Sequence, residues 1–161
     1  MVLLLDPSLR AFGWGVVDGK HIIDCGCIQT KAVKGKKDME DLSTIFLELC
    51  SIVDKLKPFE IISEMPIGSK SSRAAVSLGY TYALVVAVAA RYSLPLTFVQ
   101  ARSVKKVVTG DPGAEKDQVA LVVRDYFVNS AVIDKNKMST AARTGITDAL
   151  AIYLYKNHES R

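Results

Sequence analysis

The sequence predicts an α/β fold: a five-stranded mixed sheet with helices on both faces. Three observations predict it. The chain opens with three apolar-rich runs, Val2 to Leu5, Phe12 to Val17 and His21 to Thr30, on short connections, the pattern of an antiparallel start. A long segment of helical periodicity then separates these from a fourth run, Phe59 to Ser63, and a strand reached through a crossover helix is expected to lie parallel to a neighbour. The first run is apolar at four consecutive positions, as suits a strand buried on both faces, the fourth is a short buried strand, and each ends on a carboxylate, Asp6 and Glu64.

Taken in order, the first strand stops at Asp6-Pro7, where a turn initiated by Asp-Pro is the plainer reading of the carboxylate. Asp18-Gly19 is a hairpin signal between the second and third strands. Lys31 to Lys37 reads as a basic, glycine-containing loop. Leu42, Ile45, Phe46, Leu49, Ile52, Val53 and Leu56 recur at helical spacing, so Met39 to Lys57 is an amphipathic helix, ended by Pro58. Met65 to Ser72 is a loop. Arg73 to Tyr92 is a helix apolar on nearly every side, which implies burial all round or a second face for a partner chain. Leu94 to Val99 is the fifth strand, with strands four and five expected parallel to strand one. One or two helical turns over Ala101 to Val108, a turn at Asp111-Pro112-Gly113, an amphipathic helix over Glu115 to Phe127, a polar loop over Asn129 to Lys137 and a last helix over Ser139 to Asn157 complete the chain.

The 161 residues fit one domain, residues 1–161, with a sizeable core, and no low-complexity tract interrupts it. Basic residues exceed acidic ones by four, which is compatible with a polyanion partner without requiring one. Cys25, Cys27 and Cys50 have no metal-ligand spacing and read as reduced thiols of a cytosolic protein; Cys25 and Cys27 would share one face of a strand. Met1 leads into the first strand without a basic leader, and the longest apolar stretch, Tyr80 to Ala90, is too short to span a bilayer. The expectation is a soluble, cytoplasmic protein with no membrane association.

Chemistry is expected where carboxylates converge. If strands one and four are parallel neighbours, Asp6 and Glu64 lie side by side at about 4.8 Å strand spacing. Carboxylates that close repel unless a cation lies between them, and their oxygens suit Mg²⁺ or Mn²⁺. Asp148, on the last helix, is the third candidate. Taken singly, Glu64 is an ordinary polar strand end and Asp148 a helix-surface charge. Two ions about 4 Å apart can activate water and stabilise the leaving oxygen of a phosphodiester.

At these residues the chain resembles the RuvC family of Holliday junction resolvases, which have a ribonuclease H-like fold. The resemblance runs from Leu4 to about Tyr153. It is carried by LLDPSLRAFGWGVV at the start, GCIQTK from Gly26, SLGYTYALVVAVAA from Ser77, ARSVKKVV from Ala101, GAEKDQV from Gly113 and TDALAIYL from Thr147, in that order and spacing. It implies a homodimer, packed through the helix Arg73 to Tyr92, that binds four-way or branched DNA and nicks two strands symmetrically with one or two Mg²⁺ ions per subunit, Mn²⁺ substituting, and a water nucleophile. It also implies that Asp6, Glu64 and Asp148 are metal ligands, and that Lys105 and Lys116 belong to the active-site and DNA-binding face, Lys116 stabilising charge on the phosphate.

Two positions depart from the family pattern. Gly145 stands three residues before Asp148, where the family usually carries another acidic residue or a histidine, so a second ion is held more weakly or by another group; Thr144 and Thr147 are candidate helpers, and Asp134 is too distant in sequence to assign. Ile67 stands where the family can place an aromatic residue against a junction base, which forfeits a stacking contribution of roughly 1–3 kcal/mol per base and relaxes cut-site preference. Such departures suit a phage-encoded member. Lys70, Arg73, Lys105, Lys106 and Lys116 are expected on one DNA-binding face with Ile67, contributing phosphate contacts that position DNA without reading its sequence. Lys31, Lys34, Lys36 and Lys37 read equally well as a solvated loop, and Trp14 as core or sheet surface. The leading reading is a metal-dependent endonuclease acting on Holliday junctions. The alternatives are a non-catalytic or weakly active junction-binding protein, which Gly145 supports, and a broader nuclease cutting forks, flaps or RNA–DNA hybrids.

Overall fold

In the computed structural model, residues 1–31, 38–65, 71–134 and 139–159 are described. The strands are β1 (Val2–Asp6), β2 (Ala11–Asp18), β3 (His21–Gln29), β4 (Glu60–Met65) and β5 (Leu96–Gln100). The helices are α1 (Asp38–Leu56), α2 (Ser72–Tyr92), α3 (Ala101–Thr109), α4 (Lys116–Tyr126) and α5 (Thr140–Glu159).

The strands form one sheet in the order β3-β2-β1-β4-β5. The β1–β2 and β2–β3 pairs are antiparallel, and the β1–β4 and β4–β5 pairs parallel. This is the mixed arrangement expected from the spacing of the runs. β1 lies at the centre, and its consecutive apolar residues divide between two cores because successive side chains of a strand point to opposite faces. Val2 and Leu4 join Ile62, Val119, Val123, Ile146 and Leu150 beneath α3, α4 and α5. Leu3 and Leu5 join Ile45, Leu49, Ile61, Val85 and Val88 beneath α1 and α2. Leu3, Leu4 and Leu5 have no exposed surface, so β1 is fixed in position from both sides.

Turn chemistry follows the sequence. Gly19 adopts φ +57° in the two-residue loop between β2 and β3, a conformation that favours glycine. Gly110 does the same at φ +82° where α3 ends, and its N–H donates to the Lys106 carbonyl.

Three expectations are corrected. The segment from Asn129 is not simply a polar loop: Ser130–Asp134 forms a 3₁₀ turn whose Ile133 is wholly buried. Beside it the Asn129 amide satisfies both backbone groups of Ile22, accepting from its N–H at 2.9 Å and donating to its carbonyl at 2.8 Å. One buried isoleucine outweighs the polar composition around it. Helix α2 is not buried all round: Thr81, Leu84, Val85, Val88 and Ala89 face the core, while Val76, Tyr80 and Val86 are 52%, 45% and 41% exposed. At 21 residues it is also long and apolar enough to cross a membrane by length and composition, which the shorter run Tyr80 to Ala90 did not reveal. Finally, the helix after β5 ends one residue later than expected, at Thr109, and makes about two and a half turns.

Candidate active site

The register of β1 against β4 positions the first two candidates. Leu5 pairs with Ser63, so the residues that follow, Asp6 and Glu64, leave the sheet level with each other at the C-terminal ends of adjacent parallel strands. Asp6 lies opposite Gly13 of β2, and Glu64 opposite Val99 of β5. The third candidate arrives from above. Helix α5 crosses β2 at Gly145, where a Cβ would stand 3.2 Å from the Ala11 carbonyl oxygen and 3.3 Å from the Gly13 Cα. One turn later α5 presents Asp148. The three carboxylates line one cleft of about 520 Å³, together with Ser8, Lys105, Lys116 and Thr144.

The electrostatics agree with that geometry. Burial, followed by the charges of Glu64 and Asp148, holds the Asp6 carboxyl well above the usual carboxylate range, against an opposing contribution from Lys116. Glu64 is pushed up to about 7, first by burial and then by Asp148, with Lys116 and Lys105 opposing. The field extends one strand further: the Cys27 thiol is raised to about 11, chiefly by burial and then by Asp6. Glu64 and Asp148 therefore oppose ionisation of Asp6, Asp148 opposes that of Glu64, and added positive charge would favour the anionic form of both. Lys116, at the start of α4, supplies some of it, its Nζ standing 3.2 Å from Asp148 Oδ2. Lys105 Nζ donates to the Ala114 carbonyl at 2.8 Å, bracing the connection between α3 and α4 at the cleft wall.

Among the described residues, no three carboxylate, histidine or cysteine side chains are already gathered as a ligand shell. The donor set nevertheless fits a hard divalent cation: all-oxygen, anionic, and destabilised by its own charge.

Of the other residues singled out by sequence, Lys105 and Lys116 reach the cleft. Lys106 is exposed on α3 and Arg73 exposed near the start of α2, and neither lines it, so the expected single basic face is narrower than composition implied. The reason is helical geometry: Lys105 and Lys106 are adjacent on α3 and point about 100° apart. Ile67 and Lys70 lie outside the described residues, as do Lys34, Lys36 and Lys37. Thr144 lines the cleft, whereas Thr147 is buried and donates back to the carbonyls of Arg143 and Thr144. Asp134 is held by the Arg124 guanidinium at 2.6 and 2.9 Å and is no part of the site.

Two features escaped the sequence reading. Ser8 and Thr140 also line the cleft; Ser8, two residues beyond a strand-end carboxylate, was the detectable one. The loop after Asp6 is tied down by Arg10, which donates to Thr30 Oγ1 at 3.2 Å and to Asp38 at 3.0 Å, and pairs with the buried Asp41. No local signal marks partners 20 to 31 residues apart.

The family model described as crossover junction endodeoxyribonuclease RuvC matches residues 2–155. A crossover junction endodeoxyribonuclease RuvC of Photorhabdus laumondii is 32% identical, the match covering 98% of this chain and 87% of that protein. One of Chlorobium phaeobacteroides is 31% identical, over 94% and 82% respectively. Among solved structures, Thermus thermophilus RuvC in complex with a Holliday junction substrate superposes with a TM-score of 0.77 at 17% identity, covering 99% of this chain and 96% of that one. The yeast mitochondrial Holliday junction resolvase Ydc2 superposes at 0.66 with 10% identity, covering 99% and 81%. The sheet order, the rim of acids and the end-to-end match agree, and the chain belongs to the RuvC family of crossover junction endodeoxyribonucleases.

Proposed function

We propose that this protein is an endodeoxyribonuclease that resolves Holliday junctions and related branched DNA by symmetric, metal-dependent hydrolysis of phosphodiester bonds. The observation that carries the reading is the convergence of Asp6, Glu64 and Asp148 on one cleft with Lys116 at its edge. Asp6 and Glu64, on rigid strand ends, and Asp148, on α5, would hold Mg²⁺, or Mn²⁺ in its place. A bound divalent cation neutralises charge on the scissile phosphate and lowers the pKa of a bound water.

The chain's own residues then have separate tasks. The Lys116 ammonium, 3.2 Å from Asp148 and exposed on its other side, is placed to exchange that carboxylate for a phosphate oxygen. Packing of β1 from both faces holds Asp6 still, which conserves the alignment a hydrolytic step needs. Gly145 offers no side-chain donor, so the three acids would hold one ion firmly and a second would be held more weakly.

The same reading takes residues 1–161 as a single nuclease domain acting in the cytoplasm, and takes α2 as the helix through which two copies pair. Val76, Tyr80, Ala83, Val86 and Ala87 recur on its exposed side at three- and four-residue spacing, and Gly79 has open space before it, a surface suited to close helix–helix contact. A homodimer would present two clefts for the two strands to be cut.

The test is a cleavage panel in Mg²⁺ and in Mn²⁺ on a four-way junction, a Y-fork and an RNA–DNA hybrid. Paired nicks on the four-way junction, at least tenfold faster than on the other two, are expected. Equal rates on all three would replace this reading with a broader nuclease. Tight junction binding with no cleavage in either metal would leave a binding protein, the outcome that the missing donor at Gly145 favours.

A further inference from the structure

A second groove, of about 380 Å³, runs between α4 and α5 on the far side of Lys116. It shares Lys116, Thr140 and Thr144 with the acidic cleft, so the two are continuous. Three cations, Lys116, Arg124 and Arg143, and one acid, Asp117, line it, and the cations differ in their commitments. Arg124 is occupied by both oxygens of Asp134 at the groove's edge. Lys116 is engaged with Asp148. Arg143 is exposed on α5, and its guanidinium makes no hydrogen bond or ion pair among the described residues; it acts at a distance on the Asp134 carboxyl, helping to lower it. Leu121 of α4 stands at the same groove, 68% exposed.

Resting on the nuclease reading above, we propose that this α4–α5 groove carries the continuation of the cleaved DNA strand past the scissile phosphate, with Arg143 pairing to a phosphate further along it. Charge and continuity select that occupant. An uncommitted guanidinium suits a phosphodiester, and the groove opens directly from the cleft in which the scissile phosphate would lie. Arg143 precedes Asp148 by five residues, about 7.5 Å along the helix axis. With nucleotides advancing about 3.4 Å along each strand of a duplex, the partner phosphate lies one or two nucleotides away. The exposed Leu121 gives the intervening sugar an apolar surface. Thr147 contributes no hydroxyl to the groove, since its Oγ1 is turned onto its own helix.

The experiment measures binding of a four-way junction in Ca²⁺ over a range of salt, for the parent, Arg143→Ala and Arg143→Lys, with single neutral methylphosphonates placed at successive positions on either side of the scissile phosphate. Arg143→Ala should weaken binding about 3- to 10-fold, lower the salt slope by about one, and leave the thermal midpoint unchanged; Arg143→Lys should restore the slope. One methylphosphonate, one or two nucleotides from the cut, should weaken the parent and leave Arg143→Ala unaffected. Unchanged affinity and slope in Arg143→Ala, or a methylphosphonate profile identical to the parent's, overturns the proposal while leaving the nuclease reading intact. A parent that neither binds nor cuts branched DNA overturns both.

Discussion

Gly145 of α5 lies against Gly13 of β2 with no room for a side chain between the two backbones: a Cβ on Gly13 would collide with the Gly145 carbonyl, and one on Gly145 would press within 3.2–3.4 Å of the backbone of Ala11 and Gly13. This contact lowers α5 onto the sheet and brings Asp148, one turn on, over the rim where Asp6 and Glu64 emerge. It also gives Gly145 a packing role. Gly13→Ala should destabilise the fold by about 2–3 kcal/mol in denaturant titration, as overpacking of a tight contact does. Gly145→Asp should cost about 1–3 kcal/mol by the same measurement.

On the proposed reading, Asp6 and Glu64 would hold the metal. Asp6→Asn should keep junction affinity within a few-fold in a binding assay and reduce single-turnover cleavage by about 10²–10³, the equivalent of the several kcal/mol a metal supplies to a phosphoryl transition state. Cleavage at the parental rate would remove Asp6 from the mechanism.

The raised Glu64 carboxyl makes metal-free stability depend on pH with a definite sign. Its folded value, about 7, lies above the usual 4.5, so the folded state binds the proton more tightly. The contribution is fully present below about pH 4.5 and is lost as pH rises through 7. In EDTA the thermal midpoint should fall across that window, by an amount of order 3 kcal/mol in unfolding free energy, and Glu64→Gln should flatten the profile. Mg²⁺ should raise the midpoint more at pH 8 than at pH 5.5, because only the ionised acids attract it.

A divalent cation in the cleft would compete with Lys116 for Asp148. Lys116→Ala should therefore tighten Mn²⁺ binding about 3- to 10-fold in titration calorimetry, since a nearby positive charge is removed, while cleavage of the junction falls. Metal affinity that weakens in this variant would mean that Lys116 supports the ligand set instead of opposing a bound ion.

The exposed side of α2 gives a prediction about assembly. Val86→Lys places a charge in the middle of the apolar stripe, 41% exposed and away from both cores. The proposed dimer should weaken by tenfold or more in sedimentation velocity, because two such charges would meet across a two-fold axis. The thermal midpoint of the monomer should move little.

Much of this arrangement could be read from the chain itself, and the reasons differ by element. The sheet was legible because Val2 to Leu5 is continuously apolar, two more strands follow on short connections, and one long amphipathic helix precedes the short run Phe59 to Ser63, a combination with few topological solutions. Asp6 and Glu64 were legible as a pair once those strands were made neighbours. The 3₁₀ turn at Ser130–Asp134 was not, since Ile133 is a single apolar residue with no period to announce it. The Arg10 network was not, since its partners meet only after folding. Arg143 carried no signal at all: it is one arginine on the outer surface of a helix, and only the groove between α4 and α5 distinguishes it.

The level pairing of Leu5 with Ser63 has a further consequence for how the protein tolerates change in its genetic text. Deleting or inserting one codon within β4 would invert every later side chain of that strand, sending Glu64 toward the α1–α2 core and exchanging the cores that Ile61 and Ile62 fill. Folding and chemistry would fail in the same stroke. Single-residue insertions and deletions in that strand, unlike substitutions at Glu64, should thus give unfolded chains and no stable, inert protein to occupy branched DNA and block its repair.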